Sequence, residues 1–139
     1  MDRSQRNNRD AFVEEDEVDQ YMHGYCMFMA AALHHQYGFP VGLLSVTHQD
    51  NIERLSHAWV VLPNGKCLDI QGEQTLRQVT IFREDAVESD GLKFQIHKNT
   101  TLEHLERLSG TRLPAEETDV VRALSVAKQC LNRELNKWS

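Results

Sequence analysis

The chain has 139 residues, 40% hydrophobic and 26% charged, enough for one globular domain with a core of its own. Lys and Arg number 15 against 21 Asp and Glu, a net charge of −6, and no basic stripe is present to neutralise nucleic-acid phosphates. The longest apolar run, residues 26–33, has eight residues, far short of the roughly 20 that cross a bilayer.

Residues 1–12 read as a flexible tail, since Asp2, Arg3, Arg6, Asn7, Asn8, Arg9 and Asp10 offer little to bury. They are polar where a signal peptide would be apolar. The expectation is a cytoplasmic protein, or one exported without a cleaved signal. Residues 13–139 are expected to form the single domain. Five acids fill the six positions Glu14-Glu15-Asp16-Glu17-Val18-Asp19. They read as a solvated helical turn or loop, with a docking surface for a basic partner as the alternative.

Cys26-Met27-Phe28-Met29-Ala30-Ala31-Ala32-Leu33 is apolar all round, and its Ala and Met content favours a buried helix. Gly24 can lie at its N-cap, and Gly38 and Pro40 stop it, so the helix is expected over residues 24–37. Residues 41–46 read as a strand, 48–56 as a polar loop, and 57–62 as a second strand. That second strand is apolar on both faces and therefore central. Pro63-Asn64-Gly65 is a turn, residues 66–70 a third strand, and Gly72 its end. Residues 79–82 and 92–96 are expected to be further strands. Thr100-x-x-Glu103 matches a capping box opening a helix over residues 102–108. Pro114 starts a long helix, on which Val120, Leu124, Ala127, Leu131, Leu135 and Trp138 recur on one face. The fold class is therefore α+β: an N-terminal buried helix on an antiparallel sheet, with a C-terminal helix that covers one sheet face or, alternatively, binds a partner subunit.

Cys26, His57 and Asp69 stand out by setting. A thiolate is the reactive form of cysteine, with an ordinary pKa of about 8.5, and a helix N-terminus favours an anion. The alternative is a small buried hydrophobe, which is how Cys67 and Cys130 read. The hairpin register can also be argued. With Asn64-Gly65 as a two-residue turn, Val60 would face Asp69, and His57 would lie on the other side of the sheet. Pro63 instead suits the first central position of a type I turn, and Gly65 the left-handed bulge position that follows. Leu62 then faces Lys66, Trp59 faces Asp69, and His57 faces Gln71. His57 and Asp69 become same-face diagonal neighbours. A carboxylate there fixes the imidazole's tautomer, and His57 can take the proton of Cys26. The bland alternative is a buried histidine bonded to a strand carboxylate, with no nucleophile. The Cys26 N–H is one candidate oxyanion donor. The side-chain amide of Gln20 is another, with His23 competing for that role.

Gln20, Gly24, Cys26 and the helix after it, His57-Ala58 on a strand, and then Asp69 resemble the core of papain-like cysteine hydrolases. The order Cys, His, Asp is that of the papain and transglutaminase-like superfamily. His23-Gly24-Tyr25-Cys26, His57-Ala58-Trp59-Val60-Val61 and Leu68-Asp69-Ile70-Gln71-Gly72 are similar to small bacterial and phage-borne members, several of them toxins or effectors. The resemblance spans residues 20–72. It implies a papain-like core with Cys26 as nucleophile, His57 as base, Asp69 as orienting residue and Gln20 in the oxyanion hole. It also implies a thiol protease, deamidase or amidase that needs no cofactor or metal and acts on a protein or peptide, not on nucleic acid or membrane. Tyr25 and Met27 flank the cysteine where papain has a cysteine and a tryptophan.

Two further classes remain open at this stage. One is a catalytically inactive papain-like domain serving as a protein-binding module. The other is a metal protein using Cys26, His57 and Asp69, although no paired-ligand spacing supports it: His34 and His35 are adjacent and would point apart on a helix.

Overall fold

The apolar run starting at Cys26 forms helix α1, Cys26–Tyr37, in a computed structural model that describes residues 17, 20–21, 25–81, 92–113 and 117–138. The expected tail and most of the acidic segment lie outside the described residues. Within that segment, Glu17 is helical and pairs with Arg122 far along the chain. Gly38 ends α1 in the left-handed region at φ 76°, its N–H bonded to the His34 carbonyl. A helix without a polar face must be covered on both sides, and α1 is: the sheet lies under it and the C-terminal helices lie over it.

Five antiparallel strands follow: β1 Val41–Thr47, β2 Glu53–Val61, β3 Cys67–Asp69, β4 Gly72–Gln74 and β5 Lys93–Thr100, in the order β4-β3-β2-β1-β5. The α+β class with an antiparallel sheet holds, and β2 is the middle strand. Three local expectations need correction. Residues 53–56 are strand, not loop. The turn is confined to residues 48–52, where Asp50 Oδ1 accepts the Ile52 N–H and Asn51 takes φ 63°. Gly72 opens β4 instead of ending the ladder. Residues 76–81 are helical, because Thr75 and Gln78 cap each other reciprocally between side chain and backbone N–H. Phe82 lies outside the described residues.

Helices α2 Leu102–Ser109, α3 Glu117–Cys130 and α4 Asn132–Trp138 complete the chain. The cap of α2 is Thr101, whose hydroxyl accepts the His104 N–H, one residue later than the Thr100-x-x-Glu103 box. The expected long C-terminal helix divides at Leu131, and α3 packs chiefly on α1, so it forms an outer layer and does not itself cover the sheet. Cys130 is exposed and is not the packing residue expected.

Directly paired residues share a sheet face. Val41, Leu43, Ala58, Val60, Leu68 and Ile70 pack with α1, with Leu105, Ala123 and Val126 of the other helices, and with Leu131 between the last two. Each Val, Leu or Ile side chain among them contributes about 1.5–3 kcal/mol on leaving water. Leu44, Trp59, Cys67 and Val79 form a smaller cluster on the opposite face. Gly42 faces Trp59 there, and a Cβ at Gly42 would fall 2.1 Å from the indole nitrogen, so only glycine fits. Among the described residues, no helix is long and apolar enough to cross a membrane.

Candidate active site

The β2–β3 hairpin sets two of the three residues singled out from the sequence. Val60 faces Leu68 and Val61 faces Cys67. The Leu62 N–H donates to Lys66 O at 2.8 Å, the Gly65 N–H donates to Leu62 O at 2.8 Å, and Gly65 has φ 85°. This is the three-residue loop with a glycine bulge, and the same register puts Trp59 opposite Asp69. His57 Nε2 lies 2.8 Å from Asp69 Oδ2. His57 is 0% exposed and Asp69 is 4% exposed. The other carboxylate oxygen, Oδ1, accepts the Gln71 N–H at 2.8 Å. Asp69 is therefore anchored on both oxygens, and the imidazole is held by its Nε2. Burial of an imidazole and a carboxylate is tolerable because each satisfies the other.

Cys26 is the first residue of α1 and is 4% exposed. Tyr25 precedes it with no side-chain cap, and helical bonding starts with the Phe28 and Met29 N–H groups donating to Tyr25 O. Three residues join the C-terminus of α1 to the start of β1, which pairs with the Val60 end of β2. Running back along β2, 12 helical residues cover roughly 18 Å, the length of about five strand residues. The N-terminus of α1 therefore lies toward the His57 end of β2.

Cys26 packs in the core on the α1 side. His57 faces Leu44, and Asp69 sits opposite Trp59, so both belong to the other face. Beyond Asp69 the sheet gives out: among the described residues β2 has no strand partner on the β3 side at the level of His57.

Gln20 is helical and exposed, and its backbone carbonyl accepts the Tyr25 N–H at 2.7 Å. His23 and Gly24 lie outside the described residues. Burial, with Asp69 nearby, pushes the Cys67 thiol up to about 11 and makes it inert.

A second grouping escaped the sequence. Glu53 of β2, His97 of β5 and His104 of α2 bring one potential metal-ligand atom each to within 4.8 Å of one another. It shares no residue with the Cys26, His57 and Asp69 set. No signal could have found it, because the three share no short-range spacing and meet only through the tertiary fold.

No family model, curated protein or solved structure matches the chain.

Proposed function

We propose that the protein is a cysteine hydrolase of amide bonds, with Cys26 as nucleophile, His57 as general base and acid, and Asp69 as the residue that orients His57. The observation carrying this reading is the fully buried His57–Asp69 contact at 2.8 Å. It engages Nε2, so Nδ1 is the ring nitrogen that would exchange a proton with a thiol. The thiol would meet it where the sheet gives out beside β2, the N-terminus of α1 supplying the partial positive charge that favours a thiolate. A papain-like core is the fold description that accompanies this proposal.

The chemistry follows. His57 takes the Cys26 proton, and the sulfur attacks the amide carbonyl carbon. The developing oxyanion is met by first-turn N–H groups of α1, with the exposed Gln20 side chain as a second donor once substrate covers it. The tetrahedral intermediate expels the amine, which leaves with the proton from His57. Water then attacks the thioester with His57 again as base, releasing the acid and restoring the thiol. With a peptide the outcome is proteolysis, and with a glutamine side chain it is deamidation with release of ammonia. A role as a bacterial effector or toxin acting on a protein or peptide belongs to the same proposal.

The burial of all three residues favours a second reading, in which His57–Asp69 is a structural pair in a protein-binding module. Selective labelling by a thiol-reactive probe separates the two. On the hydrolase reading, Cys26 is labelled in the native chain and labelling falls in His57→Ala. Intact mass of glutamine-bearing candidate proteins then tests deamidation. A cellular effect that survives Cys26→Ala unchanged would favour the binding module.

A further inference from the structure

Glu53, His97 and His104 converge from three elements on the face of the sheet that carries the helices. Glu53 pairs with Thr47 on one side of β1 and His97 with Leu43 on the other, and Ser45 lies between them on the same face. The side chains of His97 and Glu53 are 24% and 28% exposed. His97 Nε2 is itself buried and has no hydrogen-bond partner among the described residues. Glu53 Oε2 lies 3.7 Å away, beyond hydrogen-bond distance. A buried ring nitrogen without a partner is costly unless something else supplies the contact.

The flanking contacts orient these groups as ligands. Ser45 Oγ donates to the Glu53 carboxylate. Thr100 Oγ1 lies 2.7 Å from His104 Nδ1, and an Nδ1–H donated to that hydroxyl leaves the Nε2 lone pair available. The two imidazoles meet edge to face with centroids 4.5 Å apart.

We propose that Glu53, His97 and His104 bind a divalent transition-metal ion of the zinc type through two imidazole nitrogens and one carboxylate oxygen. Two nitrogen donors exclude calcium and magnesium, which take oxygen ligands. Three protein ligands leave a fourth position for water or another molecule. Ligand atoms around tetrahedral zinc stand about 3.3–3.5 Å apart, given bonds of about 2.0–2.1 Å. The Glu53–His97 separation of 3.7 Å is already near that, and the ligand atom of His104 lies within 4.8 Å of both. Ser45 and Thr100 are positioning residues for the ligands.

The test uses the full chain without a histidine tag. Metal-stripped protein is titrated with Zn²⁺ against a chromophoric chelator, and in parallel with Co²⁺ followed by visible absorption. The expected result is one equivalent bound, and a Co²⁺ spectrum of a nitrogen–oxygen site lacking thiolate charge transfer. Glu53→Gln, His97→Gln and His104→Gln should each weaken Zn²⁺ binding by at least about tenfold, the lower range for losing an orienting partner alone, and Cys26→Ser should leave it unchanged. Absence of stoichiometric binding overturns the proposal. So does binding that His97→Gln and His104→Gln leave intact, or a cobalt spectrum with thiolate character. The cobalt spectrum needs no variant, so the proposal stays testable if a substitution unfolds the chain.

Discussion

Two histidine–carboxylate groupings hang from the same strand, and they are built differently. His57 and Asp69 are closed: a 2.8 Å contact, the second carboxylate oxygen bonded to backbone, and almost no exposure. Glu53, His97 and His104 are open: a 3.7 Å gap, a buried ring nitrogen left without a partner among the described residues, and part exposure. Glu53 and His57 are four residues apart and would share a face in a regular strand. The register shift between Leu44 and Ser45 inserts one extra residue in β2 and sends them to opposite faces. In the closed pair His57 Nε2 and both Asp69 carboxylate oxygens are engaged, which suits orienting one ring for another residue. The open cluster keeps donors for something added.

The largest expected break in this contrast is Asp69→Ala. It strips the carboxylate from a fully buried imidazole and should cost about 3–5 kcal/mol in urea denaturation. Asp69→Asn keeps the shape and should cost less, yet abolish selective labelling of Cys26. An open cluster should behave in the opposite way. Zinc at 100 times its Kd should stabilise the wild-type chain by about 2.7 kcal/mol, and His104→Gln should remove that gain while changing metal-free stability little. Matching melting shifts in wild type and His104→Gln would erase the distinction.

Gly42→Ala sharpens the comparison by probing the packing beside the closed pair. The added methyl must displace the Trp59 ring and should cost about 1–3 kcal/mol by chemical denaturation, with zinc affinity unchanged. The smallest effect is expected at a fully solvated ion pair. The Arg54 guanidinium, 2.8 Å from Asp50, lowers that carboxyl from its usual 3.8 to about 2. A depressed folded-state pKa contributes stability above the usual value and loses it as pH falls from 3.8 to about 2. Arg54→Ala should return the Asp50 titration, followed by NMR, toward the usual value, with little change in unfolding midpoint at neutral pH.

The legible parts of the fold were those with local chemistry behind them. The ring of Pro63 fixes its φ and Gly65 takes φ 85°, so the β2–β3 register and the His57–Asp69 contact are legible in the sequence. Gly38 likewise marked the end of α1. The first half of β2 was hidden because Glu53, Arg54 and Ser56 are polar residues on a partly exposed stretch, where alternation gives no apolar signal. Gly72 reads as a terminator because glycine suits a turn of the chain, but at φ 109° that turn leads into another paired strand. The Thr75–Gln78 cap was readable and outweighed the β-branched residues Val79 and Thr80. Cys26 illustrates the limit. Its place at a helix start follows from composition, whereas its position relative to the two sheet faces depends on how α1 crosses the strands, which no spacing encodes. The metal-type cluster lies wholly beyond that limit.

The most direct measurement is the alkylation rate of each cysteine in the native chain, resolved by peptide mass spectrometry in mildly acidic buffer. Exposed Cys130 serves as the reference thiol and buried Cys67 as the unreactive one. An imidazole-activated nucleophile requires Cys26 to label faster than Cys130 despite its burial, and to lose that advantage in both His57→Ala and Asp69→Asn. Labelling of Cys26 only as fast as the chain unfolds, equally in wild type and variants, would contradict the hydrolase and leave His57–Asp69 as a structural pair.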